Sequence, residues 1–172
     1  AMLGRPNVGK SSLVNAACER KVSIVSDKPQ TTRHRVMGVR DTAQNQIVFV
    51  DTPGLHKPVT ALGERVNATA LSSSDDVDVH CLVIDATAPF GGGDRWVAAR
   101  LDSSRLVVAV NKIDRVDAAR TLAQLQAVSE LDAVAYVPVS ARTGDGVAEF
   151  VAVLESMLPE GPRLFPSDAV HD

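Results

Sequence analysis

The feature that most constrains this chain is the octapeptide GRPNVGKS, which runs from Gly4 to Ser11. It fits the phosphate-binding pattern G-x-x-x-x-G-K-[ST] at every specified position. Such a loop wraps a polyphosphate with its backbone N–H groups pointing inward, so Gly4 and Gly9 provide conformations that a Cβ would obstruct. A glycine-containing turn before an ordinary helix is the alternative, but a chance match in a chain of this length is on the order of one per cent. We therefore predict a phosphate site at the N-terminus of the helix that follows.

Two side chains of this loop have distinct predicted roles. Lys10 is placed to reach the β- and γ-phosphates, and Ser11 is placed to offer its hydroxyl to Mg²⁺. The predicted nucleotide-binding residues of the segment are Asn7, Val8, Gly9, Lys10, Ser11 and Ser12.

Composition limits the class of protein. The 172 residues suffice for one well-buried core, and no apolar run approaches the roughly 18 residues that a membrane span requires. A net charge of −3 gives no global attraction to nucleic acid, so any such contact must be local or come from another part of the protein. Cys18 and Cys81 lie far apart without metal-ligand spacing, which predicts reduced thiols and a cytoplasmic location. We expect a monomer, and the sequence offers no support for a peripheral membrane contact.

Short β-branched runs predict a sheet. Two of them, at residues 36–40 and 47–50, are joined by the polar tetrapeptide TAQN and predict an antiparallel hairpin. Three more lack the alternation of a half-exposed strand, which is typical of parallel strands buried on both faces. They lie at residues 79–84, 106–110 and 134–139.

Helical patterns separate these strands. Apolar residues recur at helical spacing in residues 10–20, 122–131 and 147–158, and GGG at 91–93 reads as a loop before a helix that holds Trp96 and Leu101. Alternating strands and helices are typical of an α/β domain. We predict a P-loop NTPase three-layer sandwich, in which a mostly parallel sheet of about six strands has one antiparallel edge strand and helices on both faces.

The two ends of the sequence suggest a part of a longer protein. Only three residues precede the phosphate loop, so we expect its supporting first strand to be truncated. Prolines and glycine between residues 159 and 166 read as an exit from a domain. We expect a nucleotide-binding domain at residues 1–160 and, at 161–172, the start of a linker to an absent C-terminal domain.

The segment Asp51-Thr52-Pro53-Gly54 follows a predicted strand, where ligands of open α/β sheets gather. Asp51 is placed to bind Mg²⁺, directly or through water, and the Gly54 N–H could meet the γ-phosphate. An aspartate before a turn is common, so this motif carries weight through its position downstream of a phosphate loop.

The segment Asn111-Lys112-Ile113-Asp114 follows another strand and points to guanine. The Asp114 carboxylate can accept hydrogen bonds from the N1–H and the exocyclic amino group of guanine, which adenine lacks. The Lys112 stem can lie over the base plane while Asn111 braces the loop. Ser140-Ala141-Arg142 follows the next strand, and its Ala141 N–H could donate to guanine O6.

Together these segments resemble the GTP-binding domains of the Era family, the translation-factor-type bacterial GTPases of ribosome assembly. The resemblance covers nearly all of the chain. It rests on the segments GRPNVGKSSLVN, QTTRHR, DTPGLHKP, NKID, SAR, and LPEG followed by FPSD.

The resemblance implies GTP or GDP, Mg²⁺ and K⁺ as ligands. It implies that Thr32 joins Ser11 and Asp51 on Mg²⁺, and that the catalytic residues are Lys10, Thr32, Gly54 and Asn7. Leu55 stands where many GTPases have a water-orienting glutamine, so hydrolysis needs another source of charge stabilisation. In similar proteins, an asparagine equivalent to Asn7 helps to hold K⁺ against the phosphates. Arg5 and Arg33 are alternative sources of positive charge, but we expect both to make surface contacts, and we do not expect His56 to act as a general base.

The implied function is a GTP hydrolase that acts as a conformational switch in small ribosomal subunit assembly. Its switch loops are expected at residues 25–35 and 55–71. The implied partners are a guanine nucleotide and, for the parent protein, the small subunit and its rRNA, bound through a C-terminal KH domain absent here. The alternatives are a nucleotide-gated binding module with negligible hydrolysis, another member of the same GTPase superfamily, and an ATPase, against which NKID argues.

Overall fold

A six-stranded sheet organises the computed structural model, which describes residues 1–19, 35–51 and 76–166. The strand order is β2-β3-β1-β4-β5-β6. Residue bounds are β1 Met2–Leu3, β2 Arg35–Asp41, β3 Gln46–Asp51, β4 His80–Asp85, β5 Leu106–Asn111 and β6 Ala135–Pro138.

The pairing of the strands confirms the predicted mostly parallel sheet. β1 pairs in parallel with β3 and β4, and β4–β5 and β5–β6 are also parallel. The edge strand β2 pairs antiparallel with β3, with an irregularity between Val36 and Gly38. The carboxyl ends of the parallel strands therefore meet at one edge of the sheet, where the predicted motifs follow them.

The first strand is short and central. Met2 and Leu3 are each 1% exposed, and Met2 lies opposite Asp51 on one side and Cys81 on the other. These residues insert the chain between β3 and β4 and aim the phosphate loop at the edge of the sheet.

Within residues 1–19, 35–51 and 76–166, four α-helices cover the sheet. They are α1 Lys10–Cys18, α2 Gly92–Ala98, α3 Ala118–Val128 and α4 Val147–Met157. Short 3₁₀ turns lie at Ser103–Arg105, Ile113–Arg115 and Ser129–Leu131.

Two apolar clusters show the three layers. Val83 of β4 packs in the same cluster as Leu13 of α1 and Phe150 of α4. The neighbouring strand residue Leu82 packs in the other cluster, with Val97 of α2 and Val128 of α3. Because successive strand residues point to opposite faces, the sheet is buried on both sides.

The helix boundaries differ from the predicted ones for local reasons. α1 ends at Cys18, before the predicted residue 20, because Glu19 adopts a left-handed φ of 57° and its N–H bonds the Ala16 carbonyl at 3.2 Å. α2 begins at Gly92, inside the predicted glycine loop, and ends before Leu101. α3 lies further toward the N-terminus than predicted because the Asp117 side chain caps it by accepting from the Arg120 N–H.

The predicted switch loops at residues 25–35 and 55–71 lie outside the described residues, apart from Arg35 at the start of β2. In the part of the chain that the structure does describe, the helices are too short or too polar to cross a lipid bilayer.

Gly146 begins α4 and should not tolerate a side chain. Its φ is 72°, and a Cβ there would meet the carbonyl oxygen of Pro138. We expect Gly146→Ala to lower the free energy of unfolding by at least about 2 kcal/mol, measured by urea denaturation.

Gly144 provides the matched control because its φ of 88° is also left-handed but its Cβ would meet nothing within 4 Å. Gly144→Ala should cost only the backbone strain, about 1 kcal/mol. Equal losses in the two variants would contradict the steric account.

Candidate nucleotide-binding site

The phosphate loop connects β1 to α1 through two glycines whose backbone conformations would be strained for any residue with a side chain. Gly4 has a φ of 137° and a Cβ there would lie 2.5 Å from the Val83 carbonyl oxygen. Gly9 has a φ of 100°, and a Cβ there would meet the Asn111 Nδ2 atom. Both positions therefore require glycine for steric reasons that the fold itself imposes.

The N-terminus of α1 is suited to an anion. Its first turn contains no acidic residue, and no side chain caps it. The N–H groups of the first turn of a helix carry partial positive charge, which favours a bound phosphate.

Lys10 places its ammonium group inside the loop. Its Nζ donates to the carbonyl oxygens of Gly4 at 2.9 Å and Arg5 at 3.1 Å. Burial lowers the pKa of Lys10, and the nearby negative charge of Asp51 acts in the opposite direction. A polyphosphate in the loop would favour the charged amine further, because an opposite charge raises the pKa of a lysine.

Part of the predicted Mg²⁺ set is described. Ser11 lies in the first turn of α1, and Asp51 ends β3, close enough to Lys10 for their charges to interact. One hydroxyl and one carboxylate fit Mg²⁺, which keeps several waters and binds few protein oxygens together with substrate phosphates. Thr32 and Gly54 lie outside the described residues, as do Leu55 and His56.

Asn111 ties three loops together. Its side chain is buried, and its Nδ2 donates to the Val8 carbonyl oxygen of the phosphate loop at 3.0 Å. Its Oδ1 accepts from the Ala141 N–H at 3.1 Å. These two hydrogen bonds give the geometry by which Asn111 braces the loops. The Ala141 N–H, predicted to donate to guanine O6, donates to Asn111 in this structure.

Asp114 is oriented by its neighbours. Its Oδ1 accepts from the Ser140 hydroxyl at 2.8 Å, while the Arg142 Nη1 atom lies 3.7 Å from its Oδ2. The Asp114 side chain is only 11% exposed, whereas that of Arg142 is 78% exposed. Ser140 therefore fixes the carboxylate that is predicted to read the base.

Asn111, Asp114 and Arg142 help to line an open cavity of about 180 Å³. It extends from the phosphate loop to the segments after β5 and β6. Its lining residues are Gly9, Ser12, Asn111, Lys112, Asp114, Arg115, Ala141 and Arg142.

Lys112 links residues 111–114, the segment predicted to read the base and called here the base-reading segment, to the phosphate loop. Its Nζ donates to the Asn7 carbonyl oxygen at 2.7 Å and to the Asp85 Oδ2 atom at 2.6 Å. Sequence reasoning missed Asp85, although its position at the end of an apolar strand was an available signal. It also missed Arg115, which lines the cavity.

Arg5 has a different role from the one considered in the sequence. Its Nε donates to Asp94 Oδ1 at 2.9 Å, and the Asp94 side chain is fully buried. The other Asp94 oxygen accepts from the Gly91 N–H at 3.1 Å. Arg5 therefore joins the phosphate loop to the N-terminus of α2, which makes it a structural ion pair in this structure.

Residues 1–112 match the family model described as "50S ribosome-binding GTPase". The chain belongs to this GTPase family. The match ends within the base-reading segment, so it includes the phosphate loop, β1–β5 and Lys112.

Curated and solved relatives of this GTPase extend the match to nearly the whole chain. The protein named GTPase Era from Mycobacterium tuberculosis is 47% identical over 99% of this chain, and the chain spans 59% of that relative's length. A crystal structure of Era with MgGDPNP and a segment of 16S ribosomal RNA has a TM-score of 0.79 and 36% identity, covering 97% of this chain and 58% of that one. An Era variant from Aquifex aeolicus, bound to GDP and aluminium fluoride, has the same TM-score, identity and coverage.

Removing the Asn111 amide should destabilise this GTPase fold. Asn111→Ala leaves the Val8 carbonyl and the Ala141 N–H without their buried partner. We expect a loss of about 2–6 kcal/mol in the free energy of unfolding, measured by urea denaturation, because each of the two orphaned groups costs about 1–3 kcal/mol.

Gln126→Ala is the control, since Gln126 is an exposed amide on α3. Its effect should stay within about 0.5 kcal/mol. A similar loss in both variants would show that the Asn111 bonds do not hold the loops together.

Proposed function

We propose that this chain is the GTP-binding and GTP-hydrolysing part of an Era-like protein, in which Mg²⁺-dependent hydrolysis to GDP and phosphate drives a conformational switch. The observation that carries the proposal is the Asp114 carboxylate, held by Ser140 in a cavity that opens onto the phosphate loop. A fixed carboxylate at that place suits the two N–H donors of guanine.

Base selection follows from the cost of an unpaired carboxylate. A site built to accept two hydrogen bonds rejects an analogue without the donors by roughly 10⁴-fold, so ATP is a poor ligand. The Lys112 stem, anchored at its ammonium end by Asn7 and Asp85, covers the base. The same arrangement binds GDP and GTP, because it does not reach the γ-phosphate.

For hydrolysis, the chain's own residues position the triphosphate and stabilise its developing charge. The Lys10 ammonium moves from the carbonyls of Gly4 and Arg5 to the β- and γ-phosphate oxygens. Ser11, Asp51 and Thr32 would hold Mg²⁺, which would supply positive charge against the phosphates. The Gly54 N–H receives the γ-phosphate, and water attacks the γ-phosphorus without a covalent intermediate.

Asn7 is proposed to contribute a K⁺ ligand. Asn7 is exposed in the phosphate loop and has a left-handed φ of 64°. Its side-chain amide oxygen is a hard ligand, the kind that alkali cations bind. Leu55 cannot orient the attacking water. A cation at this place would instead stabilise the charge that develops on the phosphates during hydrolysis.

We propose a cytoplasmic role in small ribosomal subunit assembly. The solved Era complex contains 16S ribosomal RNA, and that protein is 36% identical to this chain. The description of the matched family model names the 50S ribosome instead. The individual structure is the more specific indication. With a net charge of −3, this domain is a poor RNA-binding surface, so we assign RNA contact to a KH-type domain elsewhere in the protein.

Asp114→Asn should exchange guanine for xanthine specificity. The variant loses two hydrogen bonds to a charged acceptor, so the Kd for GTP should rise about 10²- to 10⁴-fold. Binding of xanthosine triphosphate should improve, because the new amide can donate to the C2 carbonyl of xanthine. Fluorescence titration with labelled nucleotides measures both.

Asp117→Asn is a control with the same charge change three residues away. Asp117 caps α3, where aspartate and asparagine are nearly equivalent, so nucleotide affinity should not change. If GTP affinity in Asp114→Asn also stayed unchanged, the assignment of guanine would be wrong.

Asn7→Ser should remove the K⁺ stimulation of GTP hydrolysis. We expect single-turnover hydrolysis with Mg²⁺ to be at least about 10-fold faster in KCl than in NaCl for the unsubstituted protein, and nearly equal in the two salts for the variant. GDP affinity should change little, which separates the effect from loss of binding.

The same experiment distinguishes the binding-module alternative. Tight binding that differs between GTP and GDP, with negligible single-turnover hydrolysis in either salt, would favour a nucleotide-gated module without catalysis.

A further inference from the structure

Asp85 lies beside the base-reading segment without belonging to any nucleotide-binding motif of the sequence. It is the last residue of β4 and lies opposite Asn111, the last residue of β5. Its Oδ2 atom accepts from Lys112 Nζ at 2.6 Å, and the side chains are 15% and 24% exposed, respectively. Such a short and partly buried ion pair is screened less than one on the open surface.

The same ammonium group reaches the phosphate loop. Lys112 Nζ donates to the Asn7 carbonyl oxygen at 2.7 Å, so one cation joins Asp85 to the loop. Asn7 and Lys112 both have left-handed backbone conformations, with φ of 64° and 69°. Since such conformations are costly for residues other than glycine, contacts that hold them in place matter for the shape of the site.

The Asp85 carboxylate is itself fixed. Its Oδ1 atom accepts from the Thr87 N–H at 2.9 Å and from the Thr87 hydroxyl at 2.6 Å. Burial acts to raise the pKa of Asp85, but the hydrogen bonds from Lys112 and Thr87 outweigh it and hold the pKa below its usual value. The carboxylate is therefore an oriented anion that faces the Lys112 ammonium.

We infer that Asp85 is a positioning residue for nucleotide binding, which acts by anchoring the Lys112 ammonium against the phosphate loop. With its end held by Asp85 and Asn7, the Lys112 stem is kept stretched across the cavity as one wall of the base pocket. This inference rests on the proposed function, because it requires that the cavity receives a guanine base. It adds β4 to the strands whose ends shape the pocket.

The inference has a specific signature. Neither Asp85 nor Lys112 is placed to reach a γ-phosphate, so loss of the anchor should weaken GDP and GTP equally. The ratio of the two affinities should therefore stay constant. The loss should appear mainly as faster dissociation, as is usual for changes within one binding interface.

Asp85→Asn tests the negative charge of Asp85 separately from the hydrogen bonds that Asp85 accepts from Thr87. Asparagine can still accept from Thr87, but it presents an uncharged amide to Lys112. We expect the Kd for fluorescently labelled GDP and for a labelled non-hydrolysable GTP analogue to rise about 10-fold each, which corresponds to about 1.4 kcal/mol. Equilibrium titration and stopped-flow dissociation measure the two effects.

A double-mutant cycle tests whether Asp85 acts through Lys112. Lys112→Met keeps an apolar stem but removes the ammonium. If Asp85 acts through it, adding Asp85→Asn to Lys112→Met should weaken GDP binding by less than about two-fold. Losses that multiply in the double variant would overturn the inference.

Two control variants isolate the effect. Glu130→Gln removes a carboxylate that pairs with Arg95 at 2.6 Å on an exposed surface, and it should leave GDP affinity unchanged. Thr87→Ala removes the hydroxyl that donates to Asp85 but keeps the Thr87 N–H and the ion pair with Lys112, which still orient the carboxylate, so GDP affinity should stay within about two-fold. An equal loss of GDP affinity in Thr87→Ala and Asp85→Asn would assign the effect to the turn at residues 85–87 and would overturn the inference.

The outcomes separate the inference from the proposed function. Normal guanine nucleotide binding by the unsubstituted protein, with unchanged affinity in Asp85→Asn, overturns the inference and leaves the proposed function standing. Failure of the unsubstituted protein to bind GDP or GTP overturns both.

Discussion

The nucleotide site depends on the buried side-chain amide of Asn111. Its Nδ2 bonds the Val8 carbonyl in the phosphate loop, and its Oδ1 bonds the Ala141 N–H after β6. Loops of this kind have no ladder of their own to satisfy their backbone groups, so one buried amide that satisfies both fixes their separation. Gly9 follows from the same constraint, because a Cβ there would meet Asn111 Nδ2. Its glycine therefore serves the packing of the loops as well as the approach of a phosphate.

The sheet explains why these loops meet. In the sheet, β1 lies between β3 and β4, with β2 and β3 on one side of it and β4 to β6 on the other, so the phosphate loop follows the strand at which the strand order reverses. In open α/β sheets this is the crevice where ligands bind, outside the carboxyl ends of the strands. The ends of β4, β5 and β6 lie next to it in order, which brings Asp85, Asn111 and Ser140 into one neighbourhood. The sheet is buried on both faces, and hydrogen bonds of about 3 Å link the loops at that edge.

Much of this arrangement was predictable because the motifs carry local requirements. The hairpin of β2 and β3 followed from two apolar runs joined by a polar tetrapeptide, and the parallel strands followed from uninterrupted β-branched runs. The ends of the elements were less predictable. Gly92 and Gly93 favour a loop by propensity, yet they begin α2 because the buried Asp94 carboxylate binds the Gly91 N–H and pairs with Arg5. A tertiary contact of that kind leaves no periodic signal in the sequence.

The sequence by itself determined the class of fold and predicted the chemistry of the site, because phosphate loops, carboxylates that read a base and buried strands each need particular residues at particular spacings. Only the tertiary structure decided how those segments are coupled. The Lys112 ammonium lies between Asp85 and the Asn7 carbonyl, residues that are 27 and 105 positions away. The spacing of residues along the chain does not predict such contacts, because they form only when the parallel strands bring residues that are distant in the sequence to the same edge of the sheet. The coupling of the loops is therefore a property of the folded sheet.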